Sequence, residues 1–282
     1  MNFRESDGGA PIDLHPDAFQ NGSGVSEAER ELAATARELD GALRNLPPGE
    51  RIARLQREVG GRIVFTTSFG LEDQVVLELI REQAVDLDVV TLDTGRLFAE
   101  TYELWAETER RYGRRIRAVY PRQDELERLV ARQGINGFYE SREARSACCD
   151  VRKVEPLARA LAGAGAWITG LRADQSAHRQ AMRVVEADAA RGLLKLNPLI
   201  DWTREAVLAF ARQHDVPINP LHARGFLSIG CAPCTRAVRP GEPERAGRWW
   251  WEAEGQKECG LHLDSEGRLV RKRQSDGQGA AP

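Results

Sequence analysis

Residues 62–70, RIVFTTSFG, form an apolar, β-branched run that stops at glycine, and LEDQVVLELIREQ (71–83) follows at once with helical spacing. The first reads as a buried strand and turn, the second as the helix after it. The alternation recurs. DLDVVTLDTG (86–95) reads as a strand ending in a turn and FAETYELWAETERRYG (98–113) as its helix, while RIRAVYP (115–121) and AWITGLR (166–172) read as a third and a fourth strand. DELERLVARQG, DVRKVEPLARALAG and TREAVLAFARQHD (203–215) read as further helices, and SEAERELAATARELDGAL (26–43) opens on a capping box, Ser26 with Glu29. Strands alternating with helices predict an α/β fold, a mostly parallel sheet with helices on both faces. Ligands of such sheets bind at the carboxyl ends of strands. TTSFGLED, TLDTGRL and TGLRADQSAHR all fall there, so three loops are expected to converge on one site. No internal repeat is visible.

After about residue 226 the pattern gives way to a loop-rich C-terminal segment, 226–263. Residues 1–25, rich in Gly, Pro, Asp and Ser, and the polar stretch 264–282 read as disordered tails, leaving 26–225 as the α/β domain. A net charge of −3 argues against a nucleic-acid partner. No apolar run approaches the roughly 20 residues that span a bilayer, and MNFRESDGGAPIDLHPDAF lacks the basic start and apolar core of a secretory signal. The expected setting is cytoplasmic, where clustered cysteines lean towards metal or redox chemistry.

Cys148 and Cys149 are neighbours in a chain of five cysteines, and Cys231 and Cys234 form a C-x-x-C. The C-x-x-C alone could be a redox dithiol, half a zinc site or half an iron–sulfur site. All four together suit a 4Fe–4S cluster or tetrahedral zinc, and the adjacent pair, unusual for zinc, favours iron–sulfur over zinc, four unrelated cysteines or a vicinal disulfide. Cys259 is left over, in KECGLH, near Lys257 and His262; from the residues alone, a nucleophile and an inert thiol stand level. The chain has four lysines, at 153, 195, 257 and 272, against 36 arginines, a bias that base composition explains, yet Lys153 and Lys257 lie close to cysteines. Ser68–Asp73 has the Ser and Gly of a phosphate-cradling turn at a strand–helix junction but no Walker A signature. Arg245 and Arg248, one helical turn apart, could face one anion or be an ordinary solvated pair. Trp249–Trp251 read as packing residues rather than as a base-stacking platform.

TTSFGLED, LDTGRLFAETYEL, CCDVRKVEPL, WITGLRADQS, CAPCTRAV, RAGRWWWE and KECGLH occur in the order seen in assimilatory adenylylsulfate (APS) reductases, of the phosphoadenylylsulfate (PAPS) reductase family, and the resemblance covers about residues 50–263. It implies an adenine-nucleotide α-hydrolase-like fold, similar to the ATP pyrophosphatases, with residues 26–225 as the nucleotide-binding reductase domain. It implies a phosphate loop at Ser68, Phe69, Gly70 and Asp73, and an LDTG turn at Leu92, Asp93, Thr94 and Gly95. Cys148, Cys149, Cys231 and Cys234 become ligands of a 4Fe–4S cluster, and Lys153, Arg179, Arg245 and Arg248 grip the phosphosulfate. Cys259 becomes the nucleophile that takes the sulfonyl group from APS, leaving AMP, and reduced thioredoxin or a glutaredoxin-like donor then frees sulfite. Relatives acting on the 3′-phosphorylated substrate lack the cluster, so the four cysteines favour APS. The alternatives are a cluster-free PAPS reductase and a zinc-containing nucleotide-binding protein of the ATP-pyrophosphatase type. A lid is expected over 173–192, the long N-terminus matches nothing in the family, and a homo-oligomer is compatible with the sequence.

Overall fold

In a computed structural model, residues 26–176 and 179–252 are described. Cys259, His178, Lys257, His262 and the two expected tails lie outside the described residues. The chain runs α1 (Glu27–Leu43), α2 (Pro48–Glu58), β1 (Arg62–Thr67), α3 (Leu71–Glu82), β2 (Asp88–Leu92), α4 (Ala99–Tyr112), β3 (Arg117–Val119), α5 (Gln123–Gln133), α6 (Arg142–Cys149), α7 (Glu155–Leu161), β4 (Ala164–Ile168), β5 (Val185–Asp188), β6 (Leu193–Leu196) and α8 (Arg204–Gln213). The capping box forms as the sequence predicts: Ser26 Oγ accepts from Glu29 N at 3.2 Å and the Glu29 carboxylate accepts from Ser26 N at 2.8 Å.

The six strands make one sheet in the order β3-β2-β1-β4-β6-β5. Every pairing is parallel except the β5–β6 edge. From β1 the chain steps outward through β2 and β3, then returns to place β4 on the other side of β1. The strand order therefore reverses between β1 and β4, and a crevice opens beyond their carboxyl ends. Period-two alternation divides the strand side chains between two cores. Ile63, Phe65, Val89 and Ile168 pack against α1, α2, α3 and α8. Val64, Val90 and Trp167 pack against Leu157 and Leu161 of α7 on the opposite face.

Three features depart from the sequence reading. The helix expected over DVRKVEPLARALAG begins earlier, because α6 carries Cys148 and Cys149 in its last turn. Asp150–Val154 then forms one wide π turn, closed by the Glu155 N–H on the Asp150 carbonyl, before α7. Pro156 supplies the reason: it has no N–H to donate and its ring would crowd the Arg152 carbonyl, so the wider turn absorbs both defects. Second, α2 and the β5–β6 hairpin appear in stretches without an assigned element. Third, β5 falls inside 173–192, so part of the segment expected as a lid is an edge strand, turned at Asp188, whose carbonyl and carboxylate both accept from Arg191 N.

Candidate active site

The turn after β1 is held by its own acid. Asp73 Oδ2 accepts from Ser68 N at 2.6 Å and from Ser68 Oγ at 2.7 Å. Phe69 takes a left-handed backbone, φ 57°, with its side chain buried and stacked on Trp105 at 5.5 Å. That strained conformation folds the loop back over the start of α3. Gly70 caps α3 without a side chain, so the first N–H groups of the helix face the crevice. The loop after β4 meets it there: a Cβ on Gly170 would lie 2.2 Å from Asp73 Oδ1, so only glycine fits.

The turn after β2 links this crevice to the cysteines. Asp93 Oδ1 accepts from Gly95 N and from Tyr102 OH, both at 2.8 Å, and Gly95 sits at φ 69°. Thr94 Oγ1 lies 3.3 Å from Cys231 Sγ, the Thr94 carbonyl accepts from Arg152 Nη1 at 2.5 Å, and the Arg96 carbonyl accepts from Ala232 N at 2.8 Å.

These loops enclose a cavity of about 210 Å³. Of the predicted loop residues, Ser68, Gly70, Asp73, Leu92 and Thr94 line it; Phe69, Asp93 and Gly95 do not, and instead shape the turns. All four predicted basic residues, Lys153, Arg179, Arg245 and Arg248, line it too. Arg248 is placed by Gly230, where a Cβ would lie 2.3 Å from its guanidinium, and it lies over the Trp249 ring at 4.7 Å. His222 also lines the cavity. Its Nδ1 is paired with the Phe226 carbonyl at 2.8 Å and its Nε2 is buried with no hydrogen-bond partner.

A second, smaller cavity is lined by Cys148, Cys149, Cys231 and Cys234, with Lys153 in the wall of both cavities. The four cysteines are thiols, not disulfides. They pack with Phe138, Trp249 and Trp251 as a small core outside the sheet. Two buried N–H donors at this core, Arg152 Nε and Trp251 Nε1, have no acceptor. Among the described residues, the only three metal-ligand atoms within 4.8 Å of one another belong to Glu78, Glu82 and His214, none of which lines either cavity. No three of the four thiol sulfurs all lie within that distance of one another.

The family model for the phosphoadenosine phosphosulfate reductase domain matches residues 62–237. The chain belongs to this family. It is similar to an adenosine 5'-phosphosulfate reductase of Agrobacterium fabrum, 53% identical over 82% of this chain and 88% of the relative. It is likewise similar to one of Allochromatium vinosum, 55% identical over 76% of this chain and 83% of the relative. Among solved structures, the PAPS reductase of Candida auris, a phosphate complex, superposes with a TM-score of 0.62 at 27% identity, covering 77% of this chain and all of that one. The PAPS reductase-family fold expected from the sequence is therefore the one observed. The family match ends before Arg245, Arg248 and Cys259.

Electrostatics within this PAPS reductase-family site run against bare charge. Burial pushes the Cys234 thiol up to about 12, with Cys231 adding to the shift and Lys153 and Arg248 opposing it, and burial raises Cys148 as well. Both would release protons to a bound metal. Burial lowers the His222 pKa, which favours the neutral imidazole. Asp73 is raised from 3.8 to about 6, chiefly by burial, against the pull of the Ser68 hydrogen bonds. A folded pKa above the unfolded one means the folded state holds the proton longer, so Asp73 lowers stability as pH rises from about 4 to about 6, by about 3 kcal/mol in all. Asp73→Asn keeps an acceptor for Ser68 and loses the titration. Urea unfolding at pH 5 and pH 7 is expected to show the variant gaining on the wild type at the higher pH; equal differences at both would place the carboxyl in a more polar setting.

Residues without a sequence signal complete the site. Arg172 is fully buried at the end of the β4 loop, Glu244 lines the cavity, and Arg145 pairs with Glu252 beside the cysteines. The sequence places Arg172 in the TGLRADQSAHR loop but marks none of the three individually.

Proposed function

We propose that the chain reduces adenylylsulfate to sulfite and AMP in sulfate assimilation, through an S-sulfocysteine on Cys259 resolved by a thioredoxin-like dithiol. The observation that carries this reading is Lys153, in the wall of both the anion cavity and the cysteine cage. The names of the relatives from Agrobacterium fabrum and Allochromatium vinosum favour adenylylsulfate over its 3′-phosphorylated form.

The cage fits a 4Fe–4S cluster better than one zinc ion. A tetrahedral zinc with Zn–S bonds of about 2.3 Å draws its sulfurs to within about 3.8 Å of each other, whereas a cubane holds them apart by its own width. The orphaned Arg152 Nε and Trp251 Nε1, together with Arg96, Arg145 and Lys153 around the cage, suit an anionic guest. Such a cluster would supply a covalent cross-link between α6 and the 231–234 segment and an anionic core beside Lys153.

In the proposed reaction Lys153, Arg179, Arg245 and Arg248 hold the phosphosulfate and offset the repulsion between an anionic substrate and an incoming thiolate. The Cys259 thiolate attacks the sulfur, the S–O bond to the phosphate breaks, and AMP departs with the electron pair. A thiolate of the donor then attacks Cys259 Sγ and expels sulfite, leaving a mixed disulfide that the donor's second thiol resolves, so the donor dithiol is oxidised. Cys259 lies seven positions after Glu252, a reach of at most about 25 Å of extended chain. The proposed reaction needs that stretch to bring Cys259 to the cavity and to release it to the donor. Four reduced thiols fit a cytoplasmic setting, and among the described residues no helix is long and apolar enough to cross a membrane.

The test is an anaerobic assay of sulfite and AMP from adenylylsulfate and reduced thioredoxin, with iron and acid-labile sulfide measured on the same preparation. Equimolar sulfite and AMP with about four irons per chain is the expected result. A strong preference for the 3′-phosphorylated substrate, or zinc in place of iron, would overturn it.

A further inference from the structure

Arg172 has no exposed surface, and it lies at the point where three loops of the site meet. Its Nε donates to Glu72 Oε1 at 2.8 Å, its Nη2 to Glu244 Oε2 at 2.7 Å and Oε1 at 3.0 Å, and its Nη1 to Asp174. Its backbone N–H donates to Gln175 Oε1, and the same oxygen accepts from Arg179. Glu72 lies in the first turn of α3, beside the phosphate loop, and Glu244 immediately precedes Arg245. One residue thus ties the site together: its guanidinium joins the start of α3 to the segment that carries Arg245 and Arg248, and its backbone N–H shares Gln175 Oε1 with Arg179.

Stability alone is a poor reason for this arrangement. A buried ion pair is often no more stable than apolar residues of the same volume. Two of the carboxylates, Glu72 and Glu244, also line a cavity that the proposed function fills with an anion. A carboxylate there repels the substrate unless its charge is taken up elsewhere and its place in the wall serves a purpose.

We propose that Arg172 and Glu244 form a positioning latch, which neutralises the carboxylates of the cavity wall and sets Arg245 and Arg248 in register with the phosphate loop. The latch rests on the reading of this cavity as the adenylylsulfate site. It makes a prediction whose sign separates it from simple electrostatics. Removing a carboxylate from an anion site should tighten binding; removing a latch should loosen it.

Glu244→Ala leaves Arg172 paired with Glu72 and Asp174, so the fold has reason to survive. Its KM for adenylylsulfate is expected to rise about ten-fold, with a smaller change in kcat, because the arginine pair loses its register. The KM for thioredoxin should stay as in the wild type. In an Arg245→Gln background, where there is one arginine fewer to position, Glu244→Ala should add less than about two-fold. Glu244→Gln, which keeps the shape and an acceptor for Arg172, should fall between wild type and Ala. An unchanged or lower KM in Glu244→Ala, or full additivity with Arg245→Gln, overturns the latch while wild-type turnover leaves the functional reading standing. Failure of the wild type to use adenylylsulfate removes that reading and the latch with it.

Discussion

Cys259→Ser is expected to abolish sulfite formation, by about four orders of magnitude or more, while the iron content expected of the proposed cluster should not change relative to the wild type. Serine preserves size, but its hydroxyl is too weak an acid to be an effective nucleophile without a dedicated base. The other four sulfurs cannot substitute. Cys149, Cys231 and Cys234 are buried away from an incoming substrate, and burial raises the pKa of Cys148 and pushes Cys234 to about 12, which disfavours the thiolate at those two. Serine at any of the four should instead lower iron content. In the wild type, incubation with adenylylsulfate without a reductant should leave a sulfonate adduct that peptide mass spectrometry places on Cys259 and thioredoxin removes. Retained turnover in Cys259→Ser, or an adduct on another side chain, would end the assignment.

What could be read from the sequence, and what could not, divides along a physical line. Local signals carried far. β-Branched runs ending in glycine gave β1 and β2 with their helices, and placing three loops at strand carboxyl ends anticipated the crevice where Ser68, Thr94 and Gly170 now meet. The cysteine spacing pointed to one cage, and the four sulfurs do line one cavity. The helix over DVRKVEPLARALAG starts too late in the sequence reading, because the wide turn over Asp150–Val154 that joins it to α6 is a rare solution that no sequence period marks. The short β5–β6 hairpin lacked a run long enough to stand out. Long-range charge pairing was invisible: Arg51 reaches Asp201 and Arg172 reaches Glu72 and Glu244 across separations that no periodicity encodes. Even the Trp triplet divides, with Trp249 buried in the cysteine core and Trp250 more than a third exposed.

Glu252→Ala should cost about 3–5 kcal/mol, because it strips a buried guanidinium of its carboxylate. Arg145 and Glu252 meet through two hydrogen bonds, at 2.7 and 2.9 Å, with each side chain about 5% exposed. Arg145 comes from α6, one turn from its start and one turn before Cys149, and lies over the Trp249 ring at 4.8 Å, while Arg248 lies over the same ring at 4.7 Å. The pair therefore closes the cysteine core at Glu252, the last described residue, and in the proposed reaction it lies at the base of the segment that leads to Cys259. At about 2–4 °C per kcal/mol for a chain of this size, the thermal midpoint should fall by about 10 °C. With Cys259 as the proposed nucleophile, the functional loss should exceed the loss of folded protein, since a frayed anchor would lower the local concentration of Cys259 at the cavity. Arg145→Met combined with Glu252→Leu separates the two effects. Matched apolar side chains should recover most of the midpoint and re-anchor the segment, so turnover should return with it. A Glu252→Ala midpoint within about 2 °C of wild type would mean that water reaches the pair, and the anchor would have to lie elsewhere along 249–252.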